Sequence, residues 1–408
     1  MKHYGDITKL HGWELPPVDV ITGGSPCQDL SIAGRRAGLD GERSGLFLEQ
    51  VRLVKEMRNA TANDDLRLVK PRYMVWENVP GAFSSNQGKD FQAVLTEIAR
   101  IADPECPIVP LPEKGGWNKS GCLMGEGFSI AWRVHDAQFW GVPQRRKRIS
   151  LVADFAGGSA PEVLFERKGM CRDFEKGREP GKRAATDAEG SVGTASAICI
   201  NGDGGFLATV TDEFAGTLRA QMYENHGKDG RYTGPLETAP TVVAQYGTGG
   251  NNTPFVLQVP YGISSDKSNA MLSKNPHSGI YEARKSFDVQ RPIARRLTPL
   301  EAERLQGFPD GWTDIGEWTD SKGKFHKESS DSARYKALGN SLALPFWFWL
   351  MRRIAAQYVR PATLGSLFDG IGGFPYVWEK CNGNGTALWA SEVDEFAIAV
   401  TKKHFGEE

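Results

Sequence analysis

The 408 residues contain no apolar run near the roughly 18 that a membrane span needs. The opening MKHYGDITKLHGW lacks the apolar core of a secretory leader. A membrane protein and an exported one are therefore not expected, and a cytoplasmic protein is. Cysteines at metal-binding spacing are also missing. The six, at 27, 106, 122, 171, 199 and 381, form no CxxC pair and no Cys/His cluster, so no metal site is expected and the thiols read as reduced. Charge of one sign is in no excess either. Lys and Arg number 49 against 50 Asp and Glu, a formal net charge of -1. Bulk charge thus gives no sign of a nucleic-acid partner, although DNA contact needs only a local basic face.

What is present divides into three stretches. Residues 1–155 alternate short apolar strands with amphipathic helices: VDVITGG (18–24), RYMVWENV (72–79) and RISLVADF (148–155) as strands, and 44–58 and 90–102 as helices. Alternation of this kind predicts an α/β fold, a doubly wound and mostly parallel sheet with helices on its faces. Residues 156–290 are rich in Gly, Thr, Asn and Asp, carry short β-like pieces, and predict a smaller loop-rich β domain. Residues 291–408 return to the α/β pattern. Thr298 is expected as the N-cap of a helix with Pro299 at its first position, and Pro345 near the start of an apolar one. TLGSLFDGIGGFPYVWEKC (363–381) then reads as strand, glycine loop and helix, and TALWASEVDEFAIAVTKKHF (386–405) as a second strand and helix.

Four segments carry chemistry. FDGIGG (368–373) opens a helix after a strand, where glycines let the backbone approach a ligand. Alone it is equally a tight turn. Glu392, 20 residues after Gly372 at the end of the next strand, stands where a carboxylate accepts both hydroxyls of a ribose. The register departs from GxGxxG, but a nicotinamide-dependent oxidoreductase remains an alternative. GGSPCQDLS (23–31) puts Cys27 in a Gly/Pro-shaped loop at a strand's carboxyl end, either a nucleophile or a packed thiol. WENVPGAF (76–83) ends a buried strand on Glu77 and Asn78. QRRKR (144–148) is a basic run at a strand entrance, where Arg146 and Arg148 alternate onto one side and suit a phosphate or carbonyl.

Taken together these segments resemble the cytosine-5 DNA methyltransferases. The matching pieces are FDGIGG, SEVD, GDI (5–7), GSPCQDLS, ENVPG, the QRRKR run, RRLTPLEAERLQGFPDGW (295–312) and ALGNSLALP (337–345). Their order departs from the family's usual one. The FDGIGG-like segment, which normally comes first, comes last, so the sequence looks circularly permuted, with KKHFGEE leading towards KHYGDI. Termini that lie close on a domain surface make such a change feasible.

The resemblance implies an enzyme that transfers a methyl group from S-adenosylmethionine, without a metal, to carbon 5 of a cytosine flipped out of double-stranded DNA. It assigns Cys27 the attack on carbon 6, Glu77 the proton at ring nitrogen 3, Arg148 the ring carbonyl and Arg146 a nearby phosphate. It places the cofactor among Phe368, Gly370, Gly372, Glu392, Val393, Asp6, Ile7, Pro26, Leu46 and Asn340. DNA contacts are expected from Gln28, from Arg35, Arg36 and Arg43 in the glycine-rich loop after Cys27, and from Thr217 or Thr241 in a target-recognition domain at 156–290. The catalytic domain would then be split into 1–155 and 291–408. A monomer in a bacterial or phage-infected cell, with a restriction-modification or DNA-protection role and a separate cognate endonuclease, fits this picture. A non-catalytic DNA-binding relative and an RNA-modifying enzyme are further alternatives.

Overall fold

The computed structural model describes residues 1–25, 45–62, 68–113, 116–165, 196–199, 254–258 and 293–406. In chain order these form β1 (Lys2–Tyr4), β2 (Val20–Gly23), α1 (Gly45–Ala62), β3 (Tyr73–Asn78), α2 (Lys89–Ala102), β4 (Ser120–Gly125), β5 (Phe128–Asp136), β6 (Lys147–Asp154) and α3 (Ala160–Leu164). After them come β7 (Ser196–Cys199), β8 (Pro254–Gln258), β9 (Ile293–Arg296), α4 (Pro299–Gln306), β10 (Trp318–Thr319), β11 (Phe325–His326), α5 (Asp331–Asn340) and α6 (Leu344–Ala355). The chain closes with β12 (Leu364–Leu367), α7 (Gly373–Asn382), β13 (Ala387–Ser391) and α8 (Glu395–Phe405).

One sheet of eight strands, in the order β1-β13-β12-β2-β3-β6-β5-β4, organises the molecule. β1, β13, β12, β2 and β3 run parallel, and β6, β5 and β4 follow with antiparallel pairings. The strand expected at 148–155 is thus β6, running against its neighbours. The central strands are buried on both sides, which is why VITG and YMVW read as unbroken apolar runs rather than alternating ones. Their side chains still separate by period two. Val20, Tyr73, Val75 and Val152 join a core with Phe346, Trp347 and Leu350 of α6 and Phe374, Val377 and Trp378 of α7. Ile21, Met74, Trp76, Ile149 and Leu151 join another with Phe47, Leu53 and Met57 of α1 and Phe91, Val94 and Leu95 of α2. Each such side chain contributes about 1.5–3 kcal/mol by leaving water, and the two cores clamp the sheet from both faces, as the doubly wound reading requires.

Local signals set the helix ends. Thr298 caps α4 in a reciprocal box with Glu301, Pro299 stands in its first turn, and Gly307 closes it at φ 79°. Pro345 stands in the first turn of α6. α3, within the stretch expected to be a separate domain, packs Ala160, Val163 and Leu164 into the α6–α7 core. β7, β8 and β9 form a three-stranded antiparallel sheet.

The two ends of the chain meet. β1 pairs with β13 with Tyr4 opposite Ser391. The Met1 ammonium donates to the Phe405 carbonyl at 3.1 Å, and His3 Nε2 lies 2.7 Å from the Thr401 hydroxyl. β12 is bordered by β13 and β1 on one side and by β2 and β3 on the other. The reversal of strand order beside β12 makes the crevice beyond the carboxyl ends of β12 and β2 the natural ligand site of such a sheet.

Candidate active site at the carboxyl edge of the sheet

Phe368, with its backbone at φ 54°, follows β12, and Gly370 (φ 59°) and Gly372 (φ 80°) complete the turn into α7. A Cβ on Gly372 would stand 2.7 Å from the Phe405 ring and 2.9 Å from Thr401, so close packing of α8 adds to the demand for glycine. Glu392 follows β13. Its Oε2 accepts from the Gly370 N–H at 2.7 Å, and its Oε1 accepts from the N–H groups of Val393 (2.7 Å) and Asp394 (2.9 Å). Val393 beside it is 66% exposed. From β1 the chain brings Asp6, which accepts from the Thr8 N–H and hydroxyl; these bonds hold its carboxyl below the usual carboxylate range. Ile7 is buried next to it. The Glu392 N–H donates to the Tyr4 carbonyl at 3.3 Å and the Ser391 hydroxyl to that of Gly5, so residues at opposite ends of the sequence share one rim.

The same edge gathers the second group. Arg148 Nε donates to Glu77 Oε1 at 2.8 Å, with both side chains less than a fifth exposed. Gly24, beyond β2, leaves room for that carboxylate, since a Cβ there would stand 3.1 Å from Glu77 Oε2. Ser25 is fixed by two donors from β3, Trp76 Nε1 to its hydroxyl (3.1 Å) and Asn78 Nδ2 to its carbonyl (3.4 Å). Pro26, Cys27, Gln28, Arg35, Arg36 and Arg43 lie outside the described residues, as do Thr217 and Thr241. The chain thus leaves the sheet at Gly23, four residues before Cys27, and passes Glu77 and Asn78 at Gly24 and Ser25.

Residues 1–101 and 122–356 match the profile of the C-5 cytosine-specific DNA methylases. The chain belongs to that family. Among similar proteins, one from Escherichia phage P1 named DNA N-6-adenine-methyltransferase is 31% identical over 87% of this chain and 55% of its own length. The type II methyltransferase M1.ScrFI of Lactococcus lactis is 23% identical over 84% of this chain and 63% of its own. The chain spans between half and two thirds of the length of these relatives. A solved structure of the S. pombe Dnmt2 methyltransferase is similar at 16% identity, with 86% of this chain and 82% of that one covered and a TM-score of 0.42.

In this methylase Arg146 differs from the expectation of a phosphate contact. It is 2% exposed, and its Nη2 donates to the carbonyls of Gly339 (3.3 Å) and Ser341. Arg146 thereby fixes the turn that carries Asn340, an exposed residue at the end of α5. Gln144, also buried, reaches the Leu305 carbonyl. Leu46, in the first turn of α1, is half-buried against the α1–α2 core.

Two residues at this edge escaped sequence reasoning. His135 on β5 is the register partner of Arg148 and stacks on Phe346 with ring centroids 3.7 Å apart. Burial, and then Arg148, Arg133 and Arg146, hold its pKa well below the ordinary value, so the ring is neutral. The period-two pattern of Phe128, Ile130, Trp132 and Val134 was the signal for β5. Asp369, inside the glycine turn, is buried, accepts from the Ser366 hydroxyl at 2.6 Å through Oδ1, and leaves Oδ2 without a hydrogen-bond partner. Burial pushes its carboxyl up to about 8; the Ser366 bond opposes that rise and the Glu392 carboxylate adds to it.

Proposed function

We propose that this methylase transfers a methyl group from S-adenosylmethionine to carbon 5 of a cytosine flipped out of double-stranded DNA. The observation that carries the reading is the Glu77–Arg148 pair beside the outlet of β2, whose last residue, Gly23, stands four before Cys27. The residues present fit the cofactor. Glu392 is oriented by three backbone donors at a ribose-binding position, positive-φ glycines let the backbone come close, and Val393 offers an exposed apolar surface for an adenine. Phe368, Asp6, Ile7, Leu46 and Asn340 complete that pocket in this reading, with Pro26. When bound, S-adenosylmethionine supplies an electrophilic methyl group.

The chain's own residues do the rest. The Cys27 thiolate adds to carbon 6 of the ring, which turns carbon 5 into an enamine-like nucleophile. Glu77 delivers a proton to ring nitrogen 3 as charge builds there, and Arg148, held against Glu77, reaches the ring carbonyl. Arg146 acts by shaping the Gly339–Ser341 turn. Loss of the carbon 5 proton then releases Cys27. Arg35, Arg36 and Arg43 are assigned to the DNA backbone, and residues 156–290 with Thr217 or Thr241 to base readout in the major groove. The motif order is a circular permutation of the family's, supported by the β1–β13 pairing of the chain's two ends. A host-protecting or restriction-modification role follows from this chemistry.

The name of the phage P1 relative favours one second reading, methylation of adenine N6. Labelled methyl transfer to double-stranded DNA, followed by nucleoside analysis, separates the two. 5-Methylcytosine that vanishes in Cys27→Ser is expected. N6-methyladenine, or undiminished transfer by Cys27→Ser, would overturn the proposal.

A further inference from the structure

Several buried polar atoms near the sheet's carboxyl edge have no hydrogen-bond partner, among them both amide atoms of Gln50 beside Gly23. Asp369 Oδ2 and the Thr22 hydroxyl are both buried and both without a hydrogen-bond partner. They belong to one place. Thr22 on β2 is the register partner of Ser366 on β12, and Ser366 donates to the other oxygen of Asp369. The backbone of Asp369 is fixed as well, its N–H donating to the Ser391 carbonyl at 3.1 Å, and the next residue, Gly370, binds Glu392. A half-satisfied buried carboxyl is costly and tends to persist where a ligand completes it.

We propose that Asp369 is a specificity-determining residue of the cofactor site, where its buried, half-partnered carboxyl answers the positive charge of S-adenosylmethionine, so that the site holds the sulfonium substrate more tightly than the uncharged thioether of the product. The inference rests on the reading that the glycine turn and Glu392 hold this cofactor. Among the described residues, Glu392 at the end of β13 is the charged group that acts on Asp369; Ser366 and Thr22 contribute only hydroxyls. With the carboxyl pushed up to about 8, it is mostly protonated at neutral pH. A cation arriving at the turn favours ionised Asp369, and the proton leaves to solvent. Affinity for the cation therefore rises with pH until the free site ionises on its own near 8, then levels. A ligand without the sulfonium gains less. A preference of this kind would limit product inhibition.

Isothermal titration calorimetry of the full chain with S-adenosylmethionine and with S-adenosylhomocysteine tests this, run from pH 6 to 9 in two buffers of unlike ionisation enthalpy. Wild type should release protons with the first ligand near neutral pH and fewer with the second. The ratio of affinities should climb by up to about tenfold per pH unit below 8 and flatten above it. Asp369→Asn should bind both ligands with a low ratio that pH does not move. Ser366→Ala, which removes the bond that opposes the rise, should shift the levelling point upward. Equal proton release with both ligands, together with a pH-independent ratio in wild type, would overturn the inference whatever the variants do. Binding of neither ligand to wild type would overturn the cofactor reading itself, and this inference with it.

Discussion

The Glu77–Arg148 pair can be interrogated by a double-mutant cycle, using Glu77→Gln and Arg148→Met to keep volume nearly constant. Arg148 Nε and Glu77 Oε1 are 2.8 Å apart, with side-chain exposures of 18% and 16%. Two unit charges at about 4 Å attract by roughly 1 kcal/mol in water and about 4 kcal/mol at the effective dielectric near a protein surface. Ordering two long side chains offsets part of that, and fully exposed pairs net only about 0.2–1 kcal/mol. A pair shielded to this degree should couple by about 1–2 kcal/mol. Unfolding in urea of the wild type, the two single variants and the double variant gives that coupling directly. Because the contact is much shorter than the ~10 Å Debye length at 0.1 M salt, raising salt should reduce the coupling only slightly. On the activity side, each single variant should lose on the order of 100-fold or more in methyl transfer, with most of the loss in kcat. Strictly additive stabilities, with coupling under about 0.3 kcal/mol, would mean that the two side chains do not meet. Coupling without loss of activity would mean that they meet for structural reasons alone.

Three other expectations follow from the fold. Gly365→Ala would put a Cβ 2.3 Å from the buried ring of Trp389, whose Nε1 is tied to the Pro16 carbonyl; a loss of about 1–3 kcal/mol in urea unfolding is expected, and an unchanged midpoint would contradict the β12–β13 packing. Asp19 lies below its ordinary value, at about 2, because Arg360, the Thr363 N–H and Lys70 outweigh the upward push of burial. Its folded pKa is depressed, so its contribution is complete above about 4 and is lost as pH falls towards 2; the gap in stability between wild type and Asp19→Asn should close over that window, and a gap that persisted at pH 2 would contradict it. Joining the end of α8 to Met1 by a short linker and reopening the chain in residues 359–362 should restore the family's usual motif order with native circular dichroism and methyl transfer, because the Met1 ammonium already contacts the Phe405 carbonyl; a chain that did not fold would sink the permutation.

Much of the scaffold was legible in the residues because central parallel strands and capped helices have local signatures. VITG, YMVW and the Thr298 capping box needed no knowledge of distant segments. β5 is not among the strands read from the sequence although its alternation is regular, and only the fold shows that His135 on its polar side is covered by Phe346 from α6, some 200 residues away. The basic run shows the same limit. Alternation correctly separates Gln144, Arg146 and Arg148 from exposed Lys147, yet only the fold says that Arg146 meets the backbone of the Gly339–Ser341 turn while Arg148 meets Glu77. Asp369 was hidden for a different reason. Nothing about an aspartate within a glycine turn tells whether its carboxyl faces water, and here burial decides its chemistry.

The pairing of β12 with β2 has a consequence during synthesis. β2 is built to be enclosed on both sides, yet its neighbour β12 emerges more than 300 residues later. At roughly 5–20 residues per second, a nascent chain carries an open, apolar strand edge in the middle of its sheet for tens of seconds, and β1 waits as long for β13. Such an edge invites pairing with other chains. The rim shared by Asp6 and Glu392 cannot form until Glu392 has emerged, more than 380 residues after Asp6. This methylase should accordingly lean on chaperones more heavily than a relative whose glycine turn is made first.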